Sequence, residues 1–242
     1  MKTRLDQALA QRSLAPTRSQ AESWIKLGKV TVNGAVVTKP GYFVDNFAKI
    51  AITTTERYVS RAGLKLASVA DKFNVSFEDK IVLDVGSSTG GFTDYALQHG
   101  ASKVYAVDVG TDQLHPSLRG NGRIELHEKT DIRSFAPPRT PDIVVIDVSF
   151  ISLRDVLPHI VAITDSHTNI LAMVKPQFEA GRTQIGSSGV IKNDAVRRTI
   201  LRDFELWARQ YFVVKAKADS EVKGARGNQE RFYLLHRLPR LA

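Results

Sequence analysis

Three acidic residues, Asp84, Asp108 and Asp131, stand where a chain of alternating strands and helices would set them against a ligand. Asp84 closes an apolar run and opens a glycine-rich loop in "KIVLDVGSSTGGFTDYALQ" (80–98). Glycine there lets the backbone turn tightly and approach a ligand with no Cβ in the way. In an open α/β sheet, ligands sit at that place, beyond the carboxyl ends of the strands. A phosphate cradle needs Gly-Lys-Ser/Thr, and this loop has no lysine. The dinucleotide fingerprint G-x-G-x-x-G also fails, because Gly86-Ser-Ser-Thr-Gly90-Gly91 spaces its glycines differently. The ligand class left is S-adenosylmethionine, whose enzymes favour an acid followed by G-x-x-x-G. Asp84 is then expected near the methionine ammonium, with Gly86, Ser88, Gly90 and Gly91 passing close to the ligand. Asp108, with Val109 after it, lies where a carboxylate accepts hydrogen bonds from both ribose hydroxyls. Asp131 falls where the adenine is contacted.

Four further groups could do acid–base work. Asp147 ends one apolar run ("VVIDVSF") and Lys175 the next ("LAMVKPQFE"). Glu230 opens the last, in "GNQERF", and Lys65 precedes the first, in "SRAGLKL". A lysine serves as a base only when its amine is neutral, a state that burial and a second cation favour and flanking carboxylates oppose while orienting it. Two lysines and two acids in one pocket suit deprotonation of a reluctant hydroxyl, such as that of a ribose, and hence O-methylation. The Asn/Asp-Pro-Pro-Tyr/Phe motif of exocyclic-amine methylases is absent, and there is no cysteine for carbon-five chemistry. A purely structural set of roles is the alternative. Lys175-Pro176 could cap a strand, Asp147 could bond strand-end amides, and Glu230 could pair with Arg231 or Arg226.

These groups need a frame that brings strand ends together. The apolar runs 81–85, 103–109, 123–128, 142–148, 169–175, 211–216 and 231–237 alternate with helical stretches. Continuous rather than alternating hydrophobicity marks strands covered on both faces, so a largely parallel sheet with helices on each side is expected. The last two runs should form a hairpin at one edge. With 242 residues and 43% hydrophobic content the chain can bury a sizeable core. Absence of cysteine excludes disulfides and thiolate metal sites, and the six scattered histidines give no metal expectation. The amino terminus lacks the apolar core of a signal peptide and no run reaches membrane-spanning length, so a soluble cytoplasmic protein without a membrane partner is expected.

The first fifty-odd residues read as a separate unit. Thr3 should cap a helix with Leu5, Ala8 and Leu9 on one face. Thr17 and Gln20 form a capping box for a second helix, which Gly28 ends. "KVTVNGAVVTKPG" then reads as a hairpin about Asn33-Gly34, and "KIAI" (49–52) as one more strand. The net charge is +9, and residues 1–60 hold nine Lys/Arg against four Asp/Glu. Such an excess suits a polyanionic partner.

The stretch "RLDQALAQRSLAPTRSQAESWIKLGKVTVNGAVVTKPGYFV" resembles the RNA-binding domain first named in small-subunit ribosomal protein S-four. The resemblance implies that Arg4, Arg18, Lys26 and Lys29 face RNA, with Arg61 joining them from the next helical pattern. Together, Lys65, Asp147, Lys175 and Glu230 resemble the Lys-Asp-Lys-Glu tetrad of the RrmJ/FtsJ-like ribose 2′-O-methyltransferases. Over the whole chain, "YVSRAGLKL", "DVGSSTGGFTD", "VDVGTDQL", "IDVSFISL", "VKPQFE" and "GNQERF" are similar to the TlyA haemolysin-like ribosomal-RNA methyltransferases. That resemblance implies an α/β, Rossmann-like S-adenosylmethionine-dependent methyltransferase fold behind a small α+β S-four-like domain. It also implies methylation of a cytidine 2′-hydroxyl in ribosomal RNA, with Lys175 as base, Asp147 positioning it, and Lys65 and Glu230 completing the pocket. The expected division is 1–54 for the RNA-binding domain, 55–62 for a linker and 63–242 for the methyltransferase, acting as a monomer on ribosomal RNA or a ribosomal subunit. Two features depart from the pattern: Ala62-Gly63 stands where Gly-Ala is expected, and "HPSLRGNGRI" lacks an aromatic near the adenosine. Short termini point to the large-subunit RNA alone. A non-catalytic ribosome-assembly factor and a membrane-active haemolysin are the competing classes, and 177–194 is expected to be a flap.

Overall fold

The computed structural model describes residues 2–26, 28–52, 57–181, 189–191, 193–224 and 227–239. The expected flap at 177–194 therefore lies partly outside the described residues. The chain divides into two compact units, Met1–Arg57 and Tyr58–Ala242.

The first unit runs β1 (Lys2–Arg4), α1 (Leu5–Gln11), α2 (Arg18–Lys26), β2 (Val30–Val32), β3 (Ala35–Val36), β4 (Phe43–Asp45) and β5 (Ile50–Ile52). Its core gathers Leu5, Leu9, Ala21, Ile25, Val30 and Val44. Thr17 caps α2 as expected, its hydroxyl accepting the Gln20 amide at 3.1 Å. Asn33 and Gly34 both take positive φ, the requirement of the tight hairpin turn between β2 and β3. Thr3 does not cap α1. It pairs with Val44 in the β1–β4 ribbon, and Arg4 holds the cap position with no side-chain cap bond. The ribbon's backbone bonds claim Thr3 first. Asp6, the first polar residue of α1, is fully buried. Burial opposes its charge, but hydrogen bonds from Arg4 and Arg18 outweigh that and lower its pKa to about 2.

The second unit is a seven-stranded sheet between helices. Its elements are α3 (Arg61–Ala70), β6 (Ile81–Val85), α4 (Gly91–Gln98), β7 (Lys103–Val107), β8 (Ile124–His127), β9 (Ile143–Ile146), α5 (Leu153–Ile163), β10 (Asn169–Val174), α6 (Pro176–Glu179), α7 (Asp194–Ala208), β11 (Phe212–Asp219) and β12 (Arg231–Arg237). The strand order is β11-β12-β10-β9-β6-β7-β8. β10, β9, β6, β7 and β8 are parallel, whereas β12 runs antiparallel between β10 and β11. The central strands carry two apolar faces, whereas the edge strands β8 and β11 are only partly buried. Leu83 and Val85 pack with Leu157, Phe204 and Tyr233 on one side, and Val82 with Leu66, Phe92 and Phe232 on the other. That two-sided burial explains the unbroken apolar runs. The chain leaves β6 toward β7 and β8 and returns on its other side to β9 and β10. The carboxyl ends of β6 and β9 therefore flank the switch point, where such sheets open a crevice.

α3 and α4 meet at glycines. A Cβ on Gly63 would lie 2.5 Å from the Tyr58 ring and 2.9 Å from the Gly91 carbonyl. The Ala62-Gly63 pair thus sits inside a regular helix, within a turn of Lys65. On an open helix face Gly→Ala gains up to ~1 kcal/mol of helix propensity. Overpacking this crossing costs about 1–3 kcal/mol, so Gly63→Ala is expected to be net destabilising. A melting temperature lowered by several degrees in a thermal unfolding scan supports the crossing; an increase refutes it.

Candidate active site

The glycine loop closes on the next strand end. Gly86 and Ser87 both donate their amides to the Val107 carbonyl, and Gly86 takes φ +80°. A Cβ there would lie 2.7 Å from the carbonyl oxygen of Asp147, so only glycine lets the loops after β6 and β9 touch. Beside them lies a cavity of about 470 Å³, lined by Gly86, Ser88, Asp108, Val109, Asp131 and Asp147 among others. Asp108 receives the Ser88 amide at 2.8 Å on one oxygen and the Gly110 amide at 2.6 Å on the other. Each oxygen keeps a lone pair for a further donor. Asp131 lines the same cavity, but Arg133 occupies both its carboxylate oxygens and holds its pKa at about 2. Arg133, whose position in the sequence carries no signal of its own, lines the same cavity and presents its guanidinium at this wall.

Asp84 is fully buried beneath the loop. One carboxylate oxygen accepts the Thr93 hydroxyl at 2.6 Å, and the other has no partner among the described residues. Burial first, then the charges of Asp147 and Asp108, push its pKa up to about 7 against the Thr93 bond. Asp84 itself has no ion pair among the described residues, although Lys175 borders the small space it lines with Asp147. Gly90 and Gly91 do not line this cavity. A Cβ on Gly90 would strike Leu118 and Leu114, and one on Gly91 would strike Ser60, Ala62 and Gly63. Their smallness serves packing of the loop and of α3 on α4.

The four candidate acid–base groups come together in pairs. Lys175 Nζ lies 2.6 Å from Asp147 and donates to the Ser149 hydroxyl at 2.7 Å. Lys65 Nζ lies 2.5 Å from Glu230. Both pairs are close ion contacts rather than aligned hydrogen bonds, since the contacted carboxylate oxygens have no hydrogen-bond partner among the described residues. All four line a second cavity of about 770 Å³, with Arg61, Phe150, Gln177 and Phe178. A smaller cavity, lined by Asp84, Gly86, Ser88, Asp147 and Lys175, borders both spaces.

Ser149, Phe150 and Phe178 were not legible as site residues. Phe150 is 89% exposed with φ +65°, and its ring centroid lies 5.3 Å from that of Phe178. Glu179 links the two loops. It accepts the Ser152 hydroxyl and the Leu153 amide, each at 2.7 Å, and burial raises its pKa. The only hint in the sequence was an aromatic set between a strand and a Ser cap, where solvent is expected.

In the first unit Arg4 and Arg18 stay half-exposed while both grip Asp6. Lys26 pairs with Glu22 at 2.6 Å; Lys29 is half-buried next to Val30. Arg61 belongs to the second unit, where it lines the second cavity. No His/Asp/Glu cluster fit for a metal occurs among the described residues.

Comparison with known proteins adds a family. The FtsJ-like methyltransferase family matches residues 58–237, and the S4 domain family matches residues 3–48. The 16S/23S rRNA (cytidine-2'-O)-methyltransferase TlyA of Mycobacterium tuberculosis is 38% identical over 97% of this chain and 90% of its own. The 23S rRNA (cytidine-2'-O)-methyltransferase TlyA of Campylobacter jejuni is 41% identical over 74% of this chain and 71% of its own. A solved haemolysin-type structure from Streptococcus thermophilus superposes with a TM-score of 0.77 at 40% identity, covering 98% of this chain and 88% of that one.

The raised pKa of Asp84 has a sign. Above pH 7 its buried charge destabilises the ligand-free fold in full, and the cost fades as pH falls from about 7 toward the unfolded value near 4. Asp84→Asn should therefore raise the melting temperature of the ligand-free protein by several degrees at pH 8 and leave it unchanged near pH 4. Equal melting curves at pH 8 would show that the charge is already compensated.

Proposed function

The chain belongs to the FtsJ-like methyltransferases, within the TlyA group that carries an amino-terminal S4 domain, and from that premise we propose that it methylates the ribose 2′-hydroxyl of a cytidine in ribosomal RNA. The observation that carries the proposal is the pair of lysine–carboxylate contacts lining one cavity, next to the glycine-loop cavity.

The family implies S-adenosylmethionine as donor, and the residues present fit it. The partnerless, buried oxygen of Asp84 and the nearby carboxylates of Asp108 and Asp147 favour a ligand with an ammonium and a sulfonium. Asp108 would take the ribose hydroxyls, Val109 and Arg133 would flank the base, and Gly86 and Ser88 would face the amino-acid end. When bound, that donor supplies a methyl group made electrophilic by its sulfonium.

The chain's own work is to place and deprotonate the acceptor. A ribose hydroxyl is a poor nucleophile until its proton has somewhere to go. As a neutral amine, Lys175 has two N–H donors and one lone pair. Ser149 takes one N–H in line, and Asp147 favours the other on its side. The lone pair would then be free for the cavity that Lys175 lines, where it would receive the proton of the acceptor hydroxyl. Lys175 would leave the step as an ammonium beside Asp147, which would hold that charge. Lys65, neutralised by Glu230, contributes a donor to the acceptor sugar.

RNA would be held by the basic first unit, with Asp6 bracing Arg4 and Arg18 so that both guanidiniums are ordered before contact. Ribosomal RNA as substrate puts the reaction in the cytoplasm.

Lys175→Met should reduce methyl transfer to unmodified ribosomal RNA by about 10²–10⁴-fold, the range for loss of a general base, while S-adenosylmethionine and RNA affinities stay within twofold or so. Nucleoside mass spectrometry should find 2′-O-methylcytidine with the wild-type protein. Undiminished transfer by Lys175→Met would remove Lys175 as the base.

A further inference from the structure

The acceptor cavity contains a buried amide that the reaction above leaves idle. Gln177 lies in α6, two residues after Lys175, and lines the same cavity as the two lysine–carboxylate pairs. Its side-chain oxygen is buried and meets no hydrogen-bond donor among the described residues. A buried acceptor without a donor carries a desolvation cost that a ligand's N–H would remove. The other amide of the cavity is already committed. Asn228 accepts the Ile191 amide at 3.0 Å and donates to the Gly189 carbonyl at 3.0 Å.

The surroundings narrow the donor. Phe150 and Phe178 give the cavity two aromatic rings 5.3 Å apart, so flat apolar surface stands beside a single unsatisfied amide. A nucleobase taken out of its stack has that division of surface: an apolar face to lie on a ring and a polar edge to be read. At its pairing edge cytosine offers an amino N–H beside a bare ring nitrogen. Uracil offers a carbonyl oxygen in place of the amino group. A primary amide accepts the cytosine amino group through its oxygen and donates to the ring nitrogen through its NH₂. Set the same way, uracil would bring oxygen against oxygen.

We infer that Gln177 reads the pairing edge of the target base and gives the site its preference for cytosine over uracil. The inference rests on the reading of this cavity as the seat of an RNA nucleotide. Recognition and chemistry then share one turn of chain, with Lys175 and Gln177 on either side of Pro176.

Binding of labelled oligo(C) and oligo(U) of equal length tests the assignment, because their identical backbone charge cancels the phosphate contribution from the ratio. Wild-type protein should prefer oligo(C) by about tenfold, within the range for one well-made base contact. Gln177→Met keeps the length and removes the amide; it should lower oligo(C) affinity to that of oligo(U) and leave oligo(U) unchanged. Gln177→Glu keeps the acceptor and should keep the preference at reduced affinity. Unaltered S-adenosylmethionine affinity in each variant shows that the fold is intact. Equal binding of the two oligomers by wild-type protein, or an unchanged ratio in Gln177→Met, overturns the assignment. Methyl transfer measured alongside separates it from the reaction itself. A Gln177-dependent preference with the methyl found on a base rather than a ribose keeps Gln177 and refutes the 2′-O reaction. Ribose methylation with the preference untouched by Gln177→Met does the reverse.

Discussion

A side chain at position 86 would collide with the carbonyl of Asp147, and the site depends on that exclusion. Because nothing but hydrogen projects from Gly86, the loop after β6 can rest on the loop after β9. Ser88, Asp147 and Ser149 are thereby brought to the border of both large cavities. The sheet contributes the rest of the placement. Two parallel strands whose connections leave in opposite directions open a crevice between them, and glycine decides how narrowly its lips approach. A donor and an acceptor bound on the two sides can then meet without the protein having to close a gap.

Charge is distributed to match. Carboxylates dominate beneath the glycine loop, where Asp84 remains half-satisfied at some cost to the ligand-free fold. Lysines face the acceptor side, each against an acid. The fold tolerates this because both layers of the core are continuous and aromatic-rich, with Phe92, Phe204, Phe232 and Tyr233 buried above and below the strands. Packing supplies stability that the site gives up in electrostatics. The first unit handles charge differently: there the buried Asp6 is fully matched by Arg4 and Arg18, so its acid stabilises the fold and orders two cations at once.

Much of this was legible in residue types. Buried parallel strands betray themselves by unbroken apolar runs, and β6, β9 and β10 each end on a group with chemistry, so Asp84, Asp147 and Lys175 could be read before any coordinate. The nearness of β12 to β11 marked their hairpin at the sheet edge, whereas the antiparallel place of β12 against β10 is seen only in the structure. What escaped was whatever depends on contact across the chain. Thr3 has the chemistry of a helix cap, yet a three-residue ribbon with β4 claims it. Gly90 and Gly91 look like ligand-facing glycines and instead admit neighbouring side chains and a helix. Ser149, Phe150 and Gln177 carry no pattern of their own; their meaning comes from Lys175 and from one another.

The register of β12 on β10 sets Arg231 opposite Val174, so Glu230 arrives beside the turn that carries Lys175 from a distant part of the sequence. Every other strand of the sheet precedes β12 in the order of synthesis. The ion contact of Lys65 with Glu230 thus ties the first helix of the second unit to the last of its described strands, so that side of the pocket is complete only when the whole sheet has formed.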